Sequence, residues 1–343
     1  MMDFIDMVEA AGIRGRGGGG FPTAIKLRAV RGRRRMVIAN GCEGDPLSAK
    51  DKTLLTTTPH LVLDGIQAAA TAVRATEAVL CVHVGSAVIP HVTKALAERR
   101  DRVATRIVEV PDRYVASEES ALVNFVTTGD ARPTGSTPRP AERGILVDNV
   151  DTLAQLALVA KLGPERYRAG RTDLVTVLGA VRRPGVITAR PETSIDALLA
   201  QAGGETFPIQ AVLIGGYGGV WQPYPTSTPL GPQGIAAIYA LPTESCGLSY
   251  TADILAYLAA ESARQCGPCM FGLPTIAADF AALVRGKDTI GELKRRLPLI
   301  AKRGACAHPD GATRLAASAL RTFEQDVQAH LTYHRCGVLA GVA

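Results

Sequence analysis

The 343-residue chain has no run near the ~18 consecutive apolar residues that a membrane-spanning helix needs, so such a helix is excluded. Its opening residues, MMDFIDMVEAAG, are acidic and lack the basic-then-apolar order of a secretory signal, which predicts a cytoplasmic protein. Seven cysteines in that compartment read as free thiols or metal ligands, not as a disulfide framework. Aromatic residues make up only 5% of the chain, and none interrupts the basic segment holding Arg28, Arg31, Arg33, Arg34 and Arg35. Without interleaved aromatics or a DNA-reading motif, these arginines do not predict nucleic-acid binding. They suit a solvated connector or a docking surface for an acidic partner, within a net charge of +6. The 47% hydrophobic and 20% charged content is that of a folded globular chain, and the length predicts two or three domains.

What the sequence does hold is glycine in one place. Five of the six residues Gly15–Gly20 are glycine, followed by Phe21-Pro22-Thr23-Ala24-Ile25-Lys26. Glycine takes φ > 0 and has no Cβ, so such a backbone can press flat against a ligand. Successive bare N–H groups, Arg16, Lys26 and a helix starting near Pro22-Thr23 would together cradle a phosphate or a flat ring. A glycine run alone equally fits a flexible loop. Nearby, Val37-Ile38-Ala39-Asn40 reads as a short buried strand ending in the sharp turn Gly41-Cys42-Glu43-Gly44-Asp45-Pro46. Ligand sites of open α/β sheets lie beyond such carboxyl ends.

From Met36 to Val110 the pattern alternates strand and helix: Val37–Asn40, Pro59–Val73, Ala78–Val84, Ala87–Arg99, Arg106–Val110. This argues for a parallel, Rossmann-like sheet, with Cys81 and His83 as strand residues. Ser117 reads as the N-cap of a helix whose first turn carries Glu118 and Glu119. Residues 128–144 read as a loop, and a helix opened at Asp148-Asn149-Val150-Asp151-Thr152 runs to Leu162. After Thr172 come strand, turn, strand and a helix capped by Ser194. The later IGGYGG lacks the GxGxxG spacing of a nucleotide fingerprint and reads as a turn. Helical spacing returns at Ala252–Arg264, Phe271–Val284, Ile290–Lys302 and Arg314–Leu331, which predicts a small bundle. Cys266-Gly267-Pro268-Cys269 lies between the first two of these and Cys306 just past the third. Such a pair suits a redox dithiol, a zinc site or part of an iron–sulfur site.

Taken together, GRGGGGFPTAIK, ANGCEGDP, Lys50-Asp51 and TPHLVLDG resemble the NADH-binding 51 kDa flavoprotein subunit of respiratory complex I and of NAD-reducing hydrogenases. That family carries GRGGAGFPTGxK, NxDEGEPG, KDR and DPHxLxEG in the same order. Further along, YVASEESALVNFVTTG is similar to its YxxGEETALxxSxEG, and DNVDTL to its NNVETL. VLGAVRRPG matches the VxGxVxxPG of its soluble-ligand-binding β-grasp (SLBB-like) domain, and ESARQCGPCMFG its ESCGxCxPCxxG. The resemblance implies an α/β architecture in three parts. Residues 1–165 would be a Rossmann-like FMN/NADH domain, 170–245 a β-grasp domain and 246–335 a helical iron–sulfur domain. Gly15, Arg16, Gly17, Gly18, Lys26, Asn40, Glu43, Glu118, Asp148, Asn149 and Thr152 would surround FMN. Phe21, Asp45 and Glu119 would face NAD(H). Cys266, Cys269 and Cys306 would hold a [4Fe–4S] cluster.

The implied function is electron transfer from NAD(P)H through FMN to the cluster. Hydride carries two electrons and a cluster takes one, so a flavin must stand between them. A ferredoxin-like or other iron–sulfur subunit, or a membrane redox protein, would follow, with the chain peripheral on the inner face of a membrane through its partner. The other reading is a structural subunit that keeps the fold and has lost NADH oxidation. Several positions depart from the family pattern. Cys42 and Asp45 replace acidic residues of NxDEGE, Asp148 replaces an asparagine, and Ala263 stands where the first cluster cysteine belongs. The phenylalanine that helps hold adenine is missing, as is the family's N-terminal extension. Cys246 and His308 are the candidates for a substitute cluster ligand, with thiolate the commoner choice.

Overall fold

The computed structural model of the protein describes residues 2–135, 138–334 and 336. Short aliphatic runs form a parallel four-stranded sheet of β1 (Met36–Asn40), β2 (Glu77–His83), β3 (Thr105–Val110) and β4 (Ile145–Asn149), in the order β3-β2-β1-β4. The chain builds outward from β1 to β3, then returns to lay β4 on the other side of β1. That reversal opens a crevice at the carboxyl ends of β1 and β4. Asn40 and Asn149, the last residues of those strands, are register partners across it.

Alternation along the strands supplies two apolar faces. Val37, Ala39, Leu80 and Leu146 pack with α4 (Pro59–Val73) and α7 (Val150–Leu162), while Ile38, Val79, Cys81 and Val147 pack with α6 (Glu119–Thr128). The α4 and α7 backbones approach so closely that a Cβ on Gly65 would fall 1.9 Å from the Leu153 carbonyl oxygen. In this first part of the chain, four elements have no clear signal in the sequence: β4, α1 (Phe4–Ala11), α3 (Lys50–Thr57) and α8 (Pro164–Gly170). Helix α2 (Thr23–Ala29) starts as expected, and α5 (Ile89–Ala97) is shorter than expected. Ser117 is not the cap of α6. It lies in the single turn Tyr114–Ser117, and Glu118 caps the helix by accepting the N–H groups of Ser120 and Ala121.

The second sheet, β6-β5-β9-β7-β8, is mixed. It comprises β5 (Asp173–Gly179), β6 (Gly185–Ala189), β7 (Ile209–Ile214), β8 (Val220–Pro223) and β9 (Ala237–Pro242), with β5 and β9 parallel in its interior. It grips α9 (Ile195–Gln201), which Ser194 caps, in the β-grasp manner. The IGGYGG segment is a turn between β7 and β8, as its spacing predicts.

Helices α10 (Gly247–Ala260), α11 (Leu273–Val284), α12 (Ile290–Ile300), α13 (His308–Thr322) and α14 (Glu324–Tyr333) form the bundle. The expected final helix is therefore two, broken at Phe323, and α10 starts five residues early because Cys246 caps it. Packing does not break at the expected 245/246 boundary. Trp221 of β8 meets Phe323 edge-on at 5.1 Å and donates its indole N–H to Thr251 of α10. The architecture is thus α/β with a Rossmann-like sheet, a β-grasp sheet and a helical bundle.

Candidate functional site

The glycine loop Gly15–Gly20 lies over the β1/β4 crevice. Its neck is closed by the Gly15 N–H donating to the Phe21 carbonyl at 2.9 Å. Its floor is pinned by the Arg16 N–H donating to Thr152 Oγ1 at 2.9 Å, in the first turn of α7. A Cβ on Gly19 would meet nothing within 4 Å, and one on Gly17 only the Asn149 Cβ at 3.7 Å. Packing inside the protein therefore does not demand these two glycines. They present bare backbone to open space, which is what a flat ligand such as a flavin ring needs. Asp148 Oδ2, at the carboxyl end of β4, is buried without a hydrogen-bond partner among the described residues. Open backbone beside an unpaired polar atom fits a flat group with a polar edge, as FMN has.

Below the loop, Lys26 donates to the Val147 carbonyl and pairs with Glu119 at 3.0 Å and Asp148 at 3.6 Å. Burial opposes its charge, but the two carboxylates outweigh burial and hold it protonated. Asp148 is pushed up to about 6, chiefly by burial, with Lys26 opposing and Glu119 adding to the rise. Near pH 6 it is therefore part-protonated and offers an O–H donor where the family motif has asparagine. Beside it, Asn149 donates to Asp51 at 2.7 Å and accepts from Lys50 at 3.0 Å, and Lys50 also pairs with Asp51 and Asp151. Lys50 is thus a buried cation at the crevice, a role that the Lys-Asp motif alone does not reveal.

Four expected site residues are engaged in contacts within the protein. The Glu43 carboxylate accepts the Ser48 hydroxyl and the N–H groups of Asp51 and Lys52, so it caps α3. The Asn40 amide donates to the Ser117 carbonyl and accepts from Cys42 N–H, which fixes the turn after β1. The Arg16 guanidinium turns away from the loop into a buried ion pair with Asp173, at the start of β5. The Asp45 carboxylate turns to the β-grasp sheet. It accepts the N–H of Leu47 at 3.0 Å and of Tyr217, in the glycine turn of that sheet, at 2.7 Å. Burial pushes Asp45 up to about 6 against these two donors.

Phe21, Lys26, Glu118 and Glu119 line one cleft of about 270 Å³, closed on its other side by Arg139 and Pro140. Phe21 is 43% exposed there, an apolar ring held at the mouth. The short turn Tyr114–Ser117 runs directly into Glu118 at the edge of that cleft. Its Tyr114 N–H donates to Glu261, just past α10, and the Tyr114 ring leans on His308 at 5.3 Å.

On the far side of that turn stand Cys266, Cys269 and Cys306. Burial, then Cys266 and Cys306, push the Cys269 thiol up to about 12; burial, then Glu118 and Cys266, push Cys306 up to about 11. Cys269 is buried and Cys266 and Cys306 are half-buried; such a set of neighbouring thiols is ionised together by a bound cation, and an iron–sulfur cluster fits it. Cys246 is not beside them. It caps the N-terminus of α10, whose 14 residues span ~20 Å, and Cys266 follows the opposite end. His308 is close, because Cys306 accepts its backbone N–H. Its Nε2 sits 2.8 Å from the Leu258 carbonyl and so carries the proton, leaving a buried Nδ1 lone pair with no partner among the described residues. Burial lowers its basicity, which keeps the ring neutral. Ser262 Oγ, next to Ala263, is also buried without a partner among the described residues, and no motif in the sequence points to it.

Comparison with known proteins agrees with this geometry region by region. Residues 8–158 match the family described as the Nuo51 FMN-binding domain, 174–210 the SLBB domain, and 249–330 the NADH-ubiquinone oxidoreductase-F iron-sulfur binding region. The chain is 25% identical to the second F subunit of the NADH-quinone oxidoreductase of Rhizobium meliloti, over 97% of this chain and 90% of that protein. It is 27% identical to the F subunit of the NADH-quinone oxidoreductase of Escherichia coli, over 95% and 84%. A crystal structure of NAD+-reducing [NiFe]-hydrogenase in the air-oxidized state superposes with a TM-score of 0.88 at 27% identity, over 96% of this chain. The chain spans 62% of that hydrogenase chain. The chain belongs to the family of 51 kDa, NADH-binding flavoprotein subunits of NADH-quinone oxidoreductases and NAD-reducing hydrogenases.

Proposed function

We propose that the chain is an electron-transfer subunit that takes electrons from NAD(P)H through FMN to a [4Fe–4S] cluster. The observation that carries this reading is the segment Tyr114–Glu119. Glu118 and Glu119 line the cleft that also holds Phe21 and Lys26, while Glu118 acts electrostatically on Cys306 and Tyr114 touches His308. One short segment is thus the wall between the flavin crevice and the thiol cluster.

FMN, when bound, supplies the conversion between a two-electron donor and a one-electron acceptor. The protein's residues bind and orient. Gly17, Gly18 and Gly19 give the ring a flat bare surface, with Gly15 closing the neck of the loop and Thr152 anchoring its floor. Lys26 holds positive charge at the crevice, stabilising electron-rich flavin. Asp148 and Asn149 present polar groups at the carboxyl end of β4. Phe21 and Glu119 receive the nicotinamide nucleotide at the mouth. Cys266, Cys269 and Cys306 hold the cluster, with His308 Nδ1 as the fourth ligand in place of the missing cysteine. Asn40, Glu43, Arg16 and Asp45 shape and clamp the site rather than touch its ligands.

The chain partners other subunits, as its relatives do. The acceptor beyond the cluster is a ferredoxin-like or other iron–sulfur subunit, which in turn reaches a membrane redox protein. Among the described residues no helix is long and apolar enough to cross a membrane, so membrane association would run through that partner. The test is the purified, anaerobically reconstituted protein: bound FMN released on denaturation, and NADH-dependent reduction of an artificial acceptor. FMN and iron without that activity would leave the structural-subunit reading in its place.

A further inference from the structure

At the other pole of the bundle lies a donor set that the electron-transfer reading does not use. Cys246 Sγ, a ring nitrogen of His330 and Cys336 Sγ all lie within 4.8 Å of one another. We propose that Cys246, His330 and Cys336 form a second metal site, for zinc or a similar soft divalent ion, that fastens the segment after α14 to the bundle.

The geometry and the charge balance both support it. Cys246 Sγ and His330 Nε2 are 3.3 Å apart. Two ligands of a tetrahedral zinc, at Zn–S ~2.3 Å and Zn–N ~2.0 Å, stand about 3.6 Å apart, so a small movement admits the ion. His330 Nδ1 lies 2.6 Å from the Val284 carbonyl at the end of α11, so Nδ1 carries the proton and the Nε2 lone pair faces Cys246. A histidine held by a backbone carbonyl through its other nitrogen is the usual arrangement behind a metal-bound imidazole. Cys246 caps α10 and accepts the Ser249 N–H at 3.4 Å, so its sulfur is fixed at the N-terminus of a 14-residue helix. Two thiolates and a neutral imidazole together offset a dication's charge in a setting where His330 is 4% and Cys336 2% exposed. Asp326 Oδ1 lies 3.6 Å from Cys336 Sγ and borders the site. Soft sulfur and imidazole donors select zinc over magnesium or calcium. Without metal the Cys246 thiol donates to Nε2; metal binding replaces that proton and the one on Cys336.

The position gives the site a structural purpose. It gathers the start of α10, the end of α11, the last turns of α14 and the chain beyond. Since α10 and α11 run from this pole to the Cys266–Cys269 loop, a metal here would stiffen the helices that hold the cluster thiols.

The test is zinc and iron content, measured together on the reconstituted full chain kept under reducing conditions, followed by Co²⁺ exchange. The parent should hold about one equivalent of zinc per chain, and Co²⁺ in its place should show thiolate-to-metal charge transfer. Cys246→Ser and Cys336→Ser should each lower zinc affinity by at least the roughly 10- to 100-fold lost with an outer-shell partner, with iron unchanged. Cys266→Ser should lower iron with zinc unchanged. Circular dichroism of Cys336→Ser, which lies outside the helices, checks that the fold is kept. A parent with neither zinc nor cobalt charge transfer would overturn the proposal. So would zinc that follows Cys266 instead of Cys336, or a disulfide between Cys246 and Cys336 in the native peptide map.

Discussion

Gly17 faces open space beside Asn149, so a side chain there would enter the flavin crevice without disturbing the core. Gly17→Val should therefore fold with a near-parental unfolding midpoint and lose bound FMN; full flavin occupancy in that variant would move the cradle elsewhere. Glu119 is half-exposed at the cleft mouth and pairs with Lys26. Glu119→Gln should keep FMN and weaken NADH binding by the about 1.5–3 kcal/mol of a charge-assisted hydrogen bond, which isothermal titration reads as a rise in Kd of about 10- to 100-fold. Asp148 carries a pH signature. Its native carboxyl sits up at about 6, above its ordinary value, so between about pH 4 and 6 the native state keeps a proton that the unfolded chain has released. Its contribution to stability thus falls as pH rises through that window. Asp148→Asn should differ little from the parent near pH 4 and gain in unfolding midpoint toward pH 7; a gap that does not change with pH would contradict this. Residue identity is legible from motif position for the glycine loop, Lys26 and Asn149. The uses of Arg16 and Asp45 are not, because their partners, Asp173 and Tyr217, are distant in sequence and only folding brings them close.

Elements with long apolar periods are readable: α4, α11 and the start of α12 fall where their spacing predicts. The strands β4 and β9 are not, since each is five or six residues of apolar sequence whose strand character comes from neighbours already in the sheet. Helix α3 carries mixed polar residues and is held by Glu43 capping it from outside, a contact that no local pattern reveals. The loop elements around the thiols matter most for function. Cys269 sits in a wide turn, Pro268–Gly272, that leads into α11, and Cys306 precedes α13. Cys269→Ser should abolish the cluster, read as iron, sulfide and EPR signal. His308→Ala should leave iron bound but alter the EPR spectrum and its redox potential, because one iron exchanges imidazole for solvent. An unchanged spectrum in His308→Ala would remove histidine from the ligand set and turn attention to Ser262.

At the scale of the whole molecule, clasps between buried carboxylates and their partners help hold the β-grasp sheet against the first domain. One is the buried Arg16–Asp173 pair beneath the glycine loop. Another is Asp45 on the Tyr217 N–H, where a Cβ on Gly216, at φ +76°, would fall 2.2 Å from the carboxylate. Asp173→Asn leaves the Arg16 charge under-compensated in a buried setting and should cost about 3–5 kcal/mol, measured by denaturant unfolding, with earlier loss of FMN. The three-part architecture is legible from motif order, but the shared core of β-grasp sheet and bundle is not, since Trp221 and Phe323 lie about a hundred residues apart and neither marks a boundary in the sequence. All these contacts serve one arrangement, in which a single segment separates flavin crevice from cluster thiols. Anaerobic addition of NADH to the reconstituted protein tests it most directly. The flavin absorbance should bleach as the EPR signal of a reduced cluster appears, and Gly17→Val should lose both. Protein that holds FMN and iron yet shows neither change on NADH addition would contradict it.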